Sequence, residues 1–102
     1  MVTLRKYQNK RFAIYGMGLT GCSAAKVLKK LGAKVFCWDD NIRIRKKIKN
    51  LNFPFNKFWL KKNLVDNIVI SPGIDINKCK IKNYLRKNLN KIITDLDLFF
   101  DL

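Results

Sequence analysis

The stretch Lys-Arg-Phe-Ala-Ile-Tyr-Gly-Met-Gly-Leu-Thr-Gly, residues 10–21, decides the fold of this chain. Its apolar run at 12–15 is typical of a buried strand, and the glycines that follow have the spacing G-x-G-x-x-G. From residue 22 to residue 31 apolar side chains recur at helical intervals. A strand, a glycine-rich turn and a helix in this order direct the first free N–H groups of the helix at an anion, so the stretch predicts a phosphate-binding loop.

Length and composition favour one globular domain. The chain has 102 residues, of which 48% are hydrophobic, enough for a modest core. No apolar run approaches the roughly 20 residues that a membrane-spanning helix needs. Residues 1–6 lack the apolar centre of a signal peptide. We therefore expect a cytoplasmic protein with no membrane partner.

The net charge of +15 allows two interpretations. Nucleic-acid binding is one of them. A general bias toward Lys, Asn and Ile is the other, and the spread of the lysines over several predicted helices favours it. We therefore expect no nucleic-acid partner. A positive field would still help to recruit a phosphorylated ligand.

Cysteine and histidine content excludes several kinds of site. The three cysteines, Cys22, Cys37 and Cys79, show no Cys-x-x-Cys spacing, which argues against a disulfide framework and against structural zinc. The chain contains no histidine, so nucleophile pairs of the Ser–His and Cys–His types are absent. We predict neither a catalytic residue nor a metal site within this chain.

Strand-like and helix-like segments alternate along the chain. Strands are predicted at 10–15, 34–38, 53–55, 67–70 and 92–93. Helical segments are predicted at 20–31, 42–50, 57–64 and 77–89. Such alternation predicts an α/β fold, Rossmann-like, with a parallel five-stranded sheet and helices on both faces. Pro54 favours an edge position for its strand, which gives the order 3-2-1-4-5 with strands numbered along the chain.

This strand order predicts where a ligand binds. The first and fourth strands flank the point at which the strand order reverses, and ligands bind beyond the strand ends there. The loops at 16–21 and 71–74 should meet at that point, with Asp39 beside them. Three separate stretches of sequence are therefore expected to share one crevice.

The same stretches resemble a known family. Residues 16–28, 32–39, 69–74 and 94–99 resemble the N-terminal domain of the Mur ligases, most closely the branch that adds D-glutamate. The Ser-Pro-Gly-Ile and Asp-Leu-Phe elements are the specific part, because dinucleotide folds in general lack them. The resemblance implies an ATP-dependent amide ligase of peptidoglycan synthesis whose first domain binds UDP-N-acetylmuramoyl-L-alanine.

The resemblance also implies a domain plan. Residues 1–93 would form the UDP-substrate domain, and residues 94–102 would begin the connection to a central ATPase domain that is missing here. On physical grounds alone, the apolar residues at 94–102 could equally form a C-terminal helix that docks on its own sheet. The chain contains no G-x-x-x-x-G-K-[ST] sequence. No cofactor is therefore expected in this chain, and ATP and Mg²⁺ would belong to the central and C-terminal domains of the parent enzyme.

The resemblance assigns substrate contacts residue by residue. The glycine loop would contact the diphosphate and uridine through Gly18, Leu19, Thr20 and Gly21. Asp39 would accept the uracil N–H, and Asp40 and Asn41 would lie along the ring. From the other side of the crevice, the sugar and pyrophosphate would be faced by Ser71 and Gly73. Relatives often carry Thr-Arg after the first aspartate, so a stacking or cationic contact at 40–41 is in doubt.

Simpler roles remain open for three of these residues. Asp39 could cap the end of its strand, Ser71 could be a turn residue before Pro72, and Thr20 could be a helix-start hydroxyl. An NAD-binding regulatory or dehydrogenase module would explain the glycines and Asp39 equally well. It would not explain the Ser-Pro-Gly-Ile loop.

Overall fold

The fold is a parallel sheet with helices on both faces. The computed structural model describes residues 7–48, 65–71, 73–94 and 97–98. Within them the strands are β1 (Arg11–Tyr15), β2 (Lys34–Trp38), β3 (Asn67–Ile70) and β4 (Ile92–Ile93). All pairings are parallel, and the order is β2-β1-β3-β4. Four predicted strands and the parallel α/β class are thereby confirmed.

The described sheet has four strands in place of the predicted five. The strand expected at 53–55, with its edge proline, and the helical turn expected at 57–64 lie outside the described residues. The complete order 3-2-1-4-5 is therefore not confirmed. The four described strands lie in the predicted order 2-1-4-5, because β3 and β4 are the fourth and fifth predicted strands.

Three α-helices accompany the strands within the described residues: α1 (Leu19–Lys30), α2 (Ile42–Ile48) and α3 (Lys82–Lys87). The predicted first two helices are confirmed within their described bounds. The helix predicted at 77–89 is confirmed only in part, because two short 3₁₀ turns, Ile76–Lys78 and Leu89–Lys91, flank a shorter α3.

The break in that predicted helix has a local cause. Asp75 accepts a hydrogen bond from the Asn77 N–H at 2.9 Å and starts the first 3₁₀ turn. Cys79 then adopts an extended backbone that ends the turn, and it is buried. The predicted apolar positions Ile81 and Leu85 still face the core. Because these two residues keep the spacing of a helix, the sequence pattern does not reveal the break in the backbone at Cys79.

Side chains of alternating strand residues build two cores, one on each face of the sheet. The face covered by α1 and α2 contains Phe12, Ile14, Ala24, Ala25, Leu28, Cys37 and Ile48. The face covered by α3 contains Ala13, Tyr15, Ile68, Ile70, Cys79, Ile81 and Leu85. The alanines of α1 have no exposed surface, so small side chains bring this helix close to the sheet.

The turn between β1 and α1 needs glycine at two places. Gly16 has φ +97°, a left-handed conformation that favours glycine. Gly21 lies so close to the turn that a Cβ atom there would be 2.0 Å from the Gly16 carbonyl oxygen. At Gly18, by contrast, a Cβ atom would meet no described atom within 4 Å. The first and third glycines of the motif are therefore needed for the shape of the turn. The second, Gly18, has open space beside it.

The described residues near the end of the chain form a reciprocal cap. The Thr94 N–H donates to Asp97 Oδ2 at 3.0 Å, and the Asp97 N–H donates to Thr94 Oγ1 at 3.1 Å. Thr94 is thus an N-cap. Leu98 is only 2% exposed and packs into the α1 face. None of the helices within the described residues is long and apolar enough to span a membrane.

The close approach at Gly21 generates a stability prediction. Gly21→Ala should lower the free energy of unfolding by about 3 kcal/mol, because the added methyl group must displace main-chain atoms. The matched control Gly18→Ala should cost less than about 1 kcal/mol, since its Cβ atom enters open space. Urea denaturation followed by circular dichroism measures both. Equal losses in the two variants would contradict the role of Gly21 in the turn.

Candidate functional site

The carboxyl ends of β1, β2 and β3 meet at one edge of the sheet, since the three strands are parallel and adjacent. Two loops face each other there. The Oγ1 atom of Thr20, in the first turn of α1, lies 3.1 Å from the Oγ atom of Ser71, which follows β3. The prediction that these loops share one rim is confirmed.

An open cleft of about 400 Å³ lies between these loops. It is lined by Tyr15, Gly16, Asp39, Asp40, Gly73, Ile74, Asp75, Lys78 and Cys79. Of the predicted site residues, Asp39, Asp40 and Gly73 therefore line the cleft. Thr20 and Ser71 are joined on the rim, whereas Gly18, Leu19, Gly21 and Asn41 are outside its lining.

Asp39 joins the end of β2 to the glycine loop. Its Oδ2 atom accepts the Met17 N–H at 2.8 Å, and its Oδ1 atom accepts the Asn41 N–H at 2.8 Å. These bonds hold the carboxylate at the wall of the cleft. Each oxygen accepts one of these main-chain bonds and has a second acceptor position. Asp39 therefore caps local structure and can also accept a bond from a ligand.

Asp40 is tied more firmly into the protein. Its Oδ2 atom accepts from the Tyr15 hydroxyl and from the Lys80 N–H at 3.1 Å, while its Oδ1 atom accepts from Trp38 Nε1 at 3.1 Å. Burial by itself would raise the pKa of Asp40, but these hydrogen bonds outweigh burial and hold the pKa below its ordinary value. Asp40 is an ionised anchor between β1, β2 and the segment before α3.

The partner of this anchor is a neutral tyrosine. Burial, and then the hydrogen bond to Asp40, raise the pKa of Tyr15 above its ordinary value. Its hydroxyl therefore stays protonated and donates to the carboxylate. Sequence reasoning missed this role, and the only signal for it was a polar aromatic residue at the last position of β1.

Asn41 and Arg45 organise the start of α2. Asn41 Oδ1 accepts the Arg43 N–H at 2.9 Å, so its side chain caps the helix. Arg45 Nη1 donates to the Asp39 carbonyl oxygen at 2.6 Å, and its guanidinium lies 4.3 Å from the ring centroid of Trp38. A cationic side chain therefore stands beside the aspartates, although the positions directly after Asp39 carry none. No motif in the sequence indicated this contact, because Arg45 reaches back from inside the helix.

The start of α1 is open. Gly18 is its N-cap and provides no side-chain hydrogen bond to the first turn. Leu19 is 87% exposed, whereas Gly21 is buried beneath the turn. Burial raises the pKa of Cys22 and so disfavours the thiolate form of its side chain. The N–H groups of the first turn are thus available to an anion.

No group of three or more His, Cys, Asp or Glu within the described ranges is placed to hold a metal ion. The three carboxylates of the cleft, Asp39, Asp40 and Asp75, are instead engaged in hydrogen bonds to the protein.

Comparison with known proteins shows the family. Residues 10–93 match the model of the Mur ligase MurD-like N-terminal domain. The chain belongs to the MurD-like N-terminal domain family. This MurD-like domain is 33% identical, over 96% of its own length, to 20% of a UDP-N-acetylmuramoylalanine–D-glutamate ligase of Wolbachia pipientis wMel. It is 36% identical, over 93% of its length, to 23% of the enzyme of that name from Buchnera aphidicola subsp. Baizongia pistaciae.

The matches differ in how much of each protein they cover. The chain spans about a fifth of the length of these two curated relatives. A putative D-3-phosphoglycerate dehydrogenase from Ralstonia solanacearum shares the fold with a TM-score of 0.59, at 14% identity over 74% of this chain and 22% of that one. A phosphoglycerate oxidoreductase from Vibrio cholerae gives the same score at 17% identity, over 76% and 24%. At such identities the likeness concerns the fold alone.

The bonds of Asp40 generate a pH prediction. A carboxylate whose pKa is lowered on folding stabilises the fold above its ordinary value of 3.8, and this contribution is lost as the pH falls through the folded pKa. Asp40→Asn should reduce the free energy of unfolding by about 1–2 kcal/mol at pH 7 and flatten its decline below pH 4. Urea denaturation at a series of pH values tests this.

Tyr15→Phe is the companion variant, because it removes a principal bond to Asp40. It should also weaken the acid dependence. Asp66, whose pKa is lowered chiefly by the Arg11 N–H, remains in both variants and accounts for the acid dependence that persists. An acid dependence identical to that of the wild-type chain in Asp40→Asn would refute the anchor role.

Proposed function

We propose that residues 1–93 bind UDP-N-acetylmuramoyl-L-alanine as the first domain of a cytoplasmic, ATP-dependent ligase that adds D-glutamate in peptidoglycan synthesis. Residues 94–102 would lead to the central ATPase domain, and a C-terminal domain would complete the enzyme. The observation that carries the proposal is the contact between Thr20 and Ser71, which joins the glycine loop and the Ser-Pro-Gly-Ile loop beside the Asp39 cleft. Membership of the MurD-like family supports the same function.

The charges around the cleft favour one orientation of the nucleotide. Three of the chain's seven acidic residues line the cleft, Asp39, Asp40 and Asp75, against one lysine, Lys78. This excess of negative charge would repel a diphosphate. A neutral base that donates an N–H suits this cleft better. The diphosphate would then bind at the open N-terminus of α1, where free N–H groups and the helix dipole attract anions.

Asp39 is the proposed reader of the base. Because each of its oxygens accepts one main-chain N–H, an acceptor position remains for the uracil imide N–H. Asp40 Oδ2 already accepts two bonds, so this residue would line the ring as a wall and support its neighbour. Asn41 would lie farther along the ring, at the start of α2.

The remaining predicted contacts belong to the two rim loops. Gly18 and Leu19 are exposed at the helix start, and Thr20 and Ser71 present paired hydroxyl groups. We propose that these residues contact the diphosphate and that Gly73, also exposed, faces the sugar. Gly21 is buried, so its proposed contribution is the close fit of the loop that presents the N–H groups.

ATP and Mg²⁺ have no proposed site in this domain. No group of three or more His, Cys, Asp or Glu in the described ranges could hold a metal ion, and the sequence lacks a P-loop. We propose that the other domains bind both and activate the substrate carboxylate. The part of this domain is to bind and orient the UDP end.

A ligand panel tests the proposed function. Calorimetric titration of the chain with UDP, UDP-N-acetylmuramoyl-L-alanine and NAD should give measurable binding of both uridine ligands and weaker binding of NAD. The base should gain from Asp39, and the diphosphate should gain from the start of α1. A preference for NAD would mean that the domain is a dinucleotide module. Random oligonucleotides at physiological ionic strength serve as the control for attraction by charge alone.

A substitution tests the base contact. Asp39→Ala should weaken UDP binding about 10-fold, because it removes both the acceptor and the bonds that shape the rim. Asp66→Ala is the charge-matched control, since Asp66 bonds to Arg11 at the other end of the strands. Circular dichroism verifies that both variants are folded. Undiminished UDP affinity in a folded Asp39→Ala chain would contradict the proposed role.

A further inference from the structure

Arg45 contacts the end of β2 from outside the cleft, and its two contacts, to Trp38 and to Asp39, are together called the clasp. The side chain extends from α2, is partly buried, and contacts two consecutive residues of the strand end. Its guanidinium lies 4.3 Å from the Trp38 ring centroid, and Nη1 donates to the Asp39 carbonyl oxygen at 2.6 Å. Neither contact is part of the cap of α2, which Asn41 provides.

We propose that Arg45 is a positioning residue that sets the selectivity of the cleft for a base with an imide N–H. This inference rests on the proposed function, because it concerns how Asp39 reads the base. Arg45 itself contacts no ligand in this proposal. It fixes the main chain of Asp39, and thereby the place of the carboxylate.

The geometry at Asp39 explains why one further contact matters. The Trp38 carbonyl accepts the Gly16 N–H at 2.8 Å, so β2 is held to β1 up to that residue. At Asp39 the glycine loop holds the carboxylate through Met17, and the charged bond from Arg45 holds the carbonyl. A charge-assisted bond is about twice as strong as a neutral one. Together they hold both the main chain and the side chain of Asp39.

The stacking contact requires arginine. A planar guanidinium can lie on the face of an indole while its edge donates a hydrogen bond in a fixed direction. A lysine ammonium keeps the charge but cannot combine the two contacts. Trp38 is itself held, because its Nε1 donates to Asp40. The clasp therefore connects Asp39 to the Asp40 anchor as well.

Selectivity is the property most sensitive to this clasp. Uracil presents an N–H at ring position 3, whereas cytosine presents a lone pair there, which a carboxylate repels. Hydrogen bonds weaken steeply with distance and angle, so a displaced carboxylate loses its preference for uracil. General destabilisation of the fold would weaken the binding of UDP and CDP alike. The ratio of the two affinities therefore distinguishes positioning from a structural role.

The test compares UDP and CDP binding by calorimetry in the wild-type chain, Arg45→Ala, Arg45→Lys and Arg43→Ala. Arg43 is the matched control, because it is exposed on the same helix and its loss changes the charge equally. We expect the UDP-to-CDP affinity ratio to fall about 3- to 10-fold in Arg45→Ala and in Arg45→Lys. Arg43→Ala should keep the wild-type ratio, even if the reduced charge weakens both affinities.

Each outcome decides a separate point. A wild-type chain without preference for UDP removes the proposed function, and this inference with it. A selective wild-type chain whose ratio persists in folded Arg45→Ala overturns the positioning role alone. If circular dichroism shows that Arg45→Ala is unfolded, Arg45→Lys decides: a reduced ratio supports the role of the planar clasp, and an unchanged ratio overturns it.

Discussion

The close approach of Gly21 to the Gly16 carbonyl is the constraint on which the other features depend. No side chain fits between Gly21 and the Gly16 carbonyl, so the first turn of α1 packs directly against the end of β1. The small residues of the helix continue this approach, and Ala24 and Ala25 are completely buried against the sheet. Because the helix starts there, Thr20 reaches Ser71 across the rim. A wider turn between β1 and α1 would move the two loops apart and widen the cleft.

The second organising feature is the Asp40 anchor. A tyrosine hydroxyl, an indole N–H and a main-chain N–H converge on one carboxylate at the junction of β1, β2 and the segment before α3. Such networks specify one arrangement when every member is satisfied. The neighbouring Asp39 makes fewer bonds, because each of its two oxygens accepts one main-chain N–H. Their contrasting surroundings support the separate roles that we propose for them, structural support by Asp40 and base recognition by Asp39.

Much of this fold was predictable, for physical reasons that differ between elements. β1, β2 and β3 are apolar runs between turn residues, and α1 has a clear helical period followed by Gly32. The segment at 77–89 was not predictable in detail, because Asp75 and Cys79 act through local bonds that leave the helical spacing of Ile81 and Leu85 intact.

The candidate site also has a part that the sequence predicts and a part that it does not. Parallel topology predicts that the loops after β1 and β3 meet, and the structure has them in contact. The bonds of Tyr15 and Arg45 depend on side chains crossing from one element to another, which no spacing in the sequence reveals.

The aspartates of the cleft, in a chain of net charge +15, would separate two stages in the capture of the proposed ligand. Screening in physiological salt limits electrostatic interactions to roughly 8 Å. A diffusing anion would therefore be attracted by the net positive charge of the chain during its approach, and would meet the carboxylates only at close range. Added salt should slow the encounter while leaving the choice between bases nearly unchanged, because that choice depends on short hydrogen bonds.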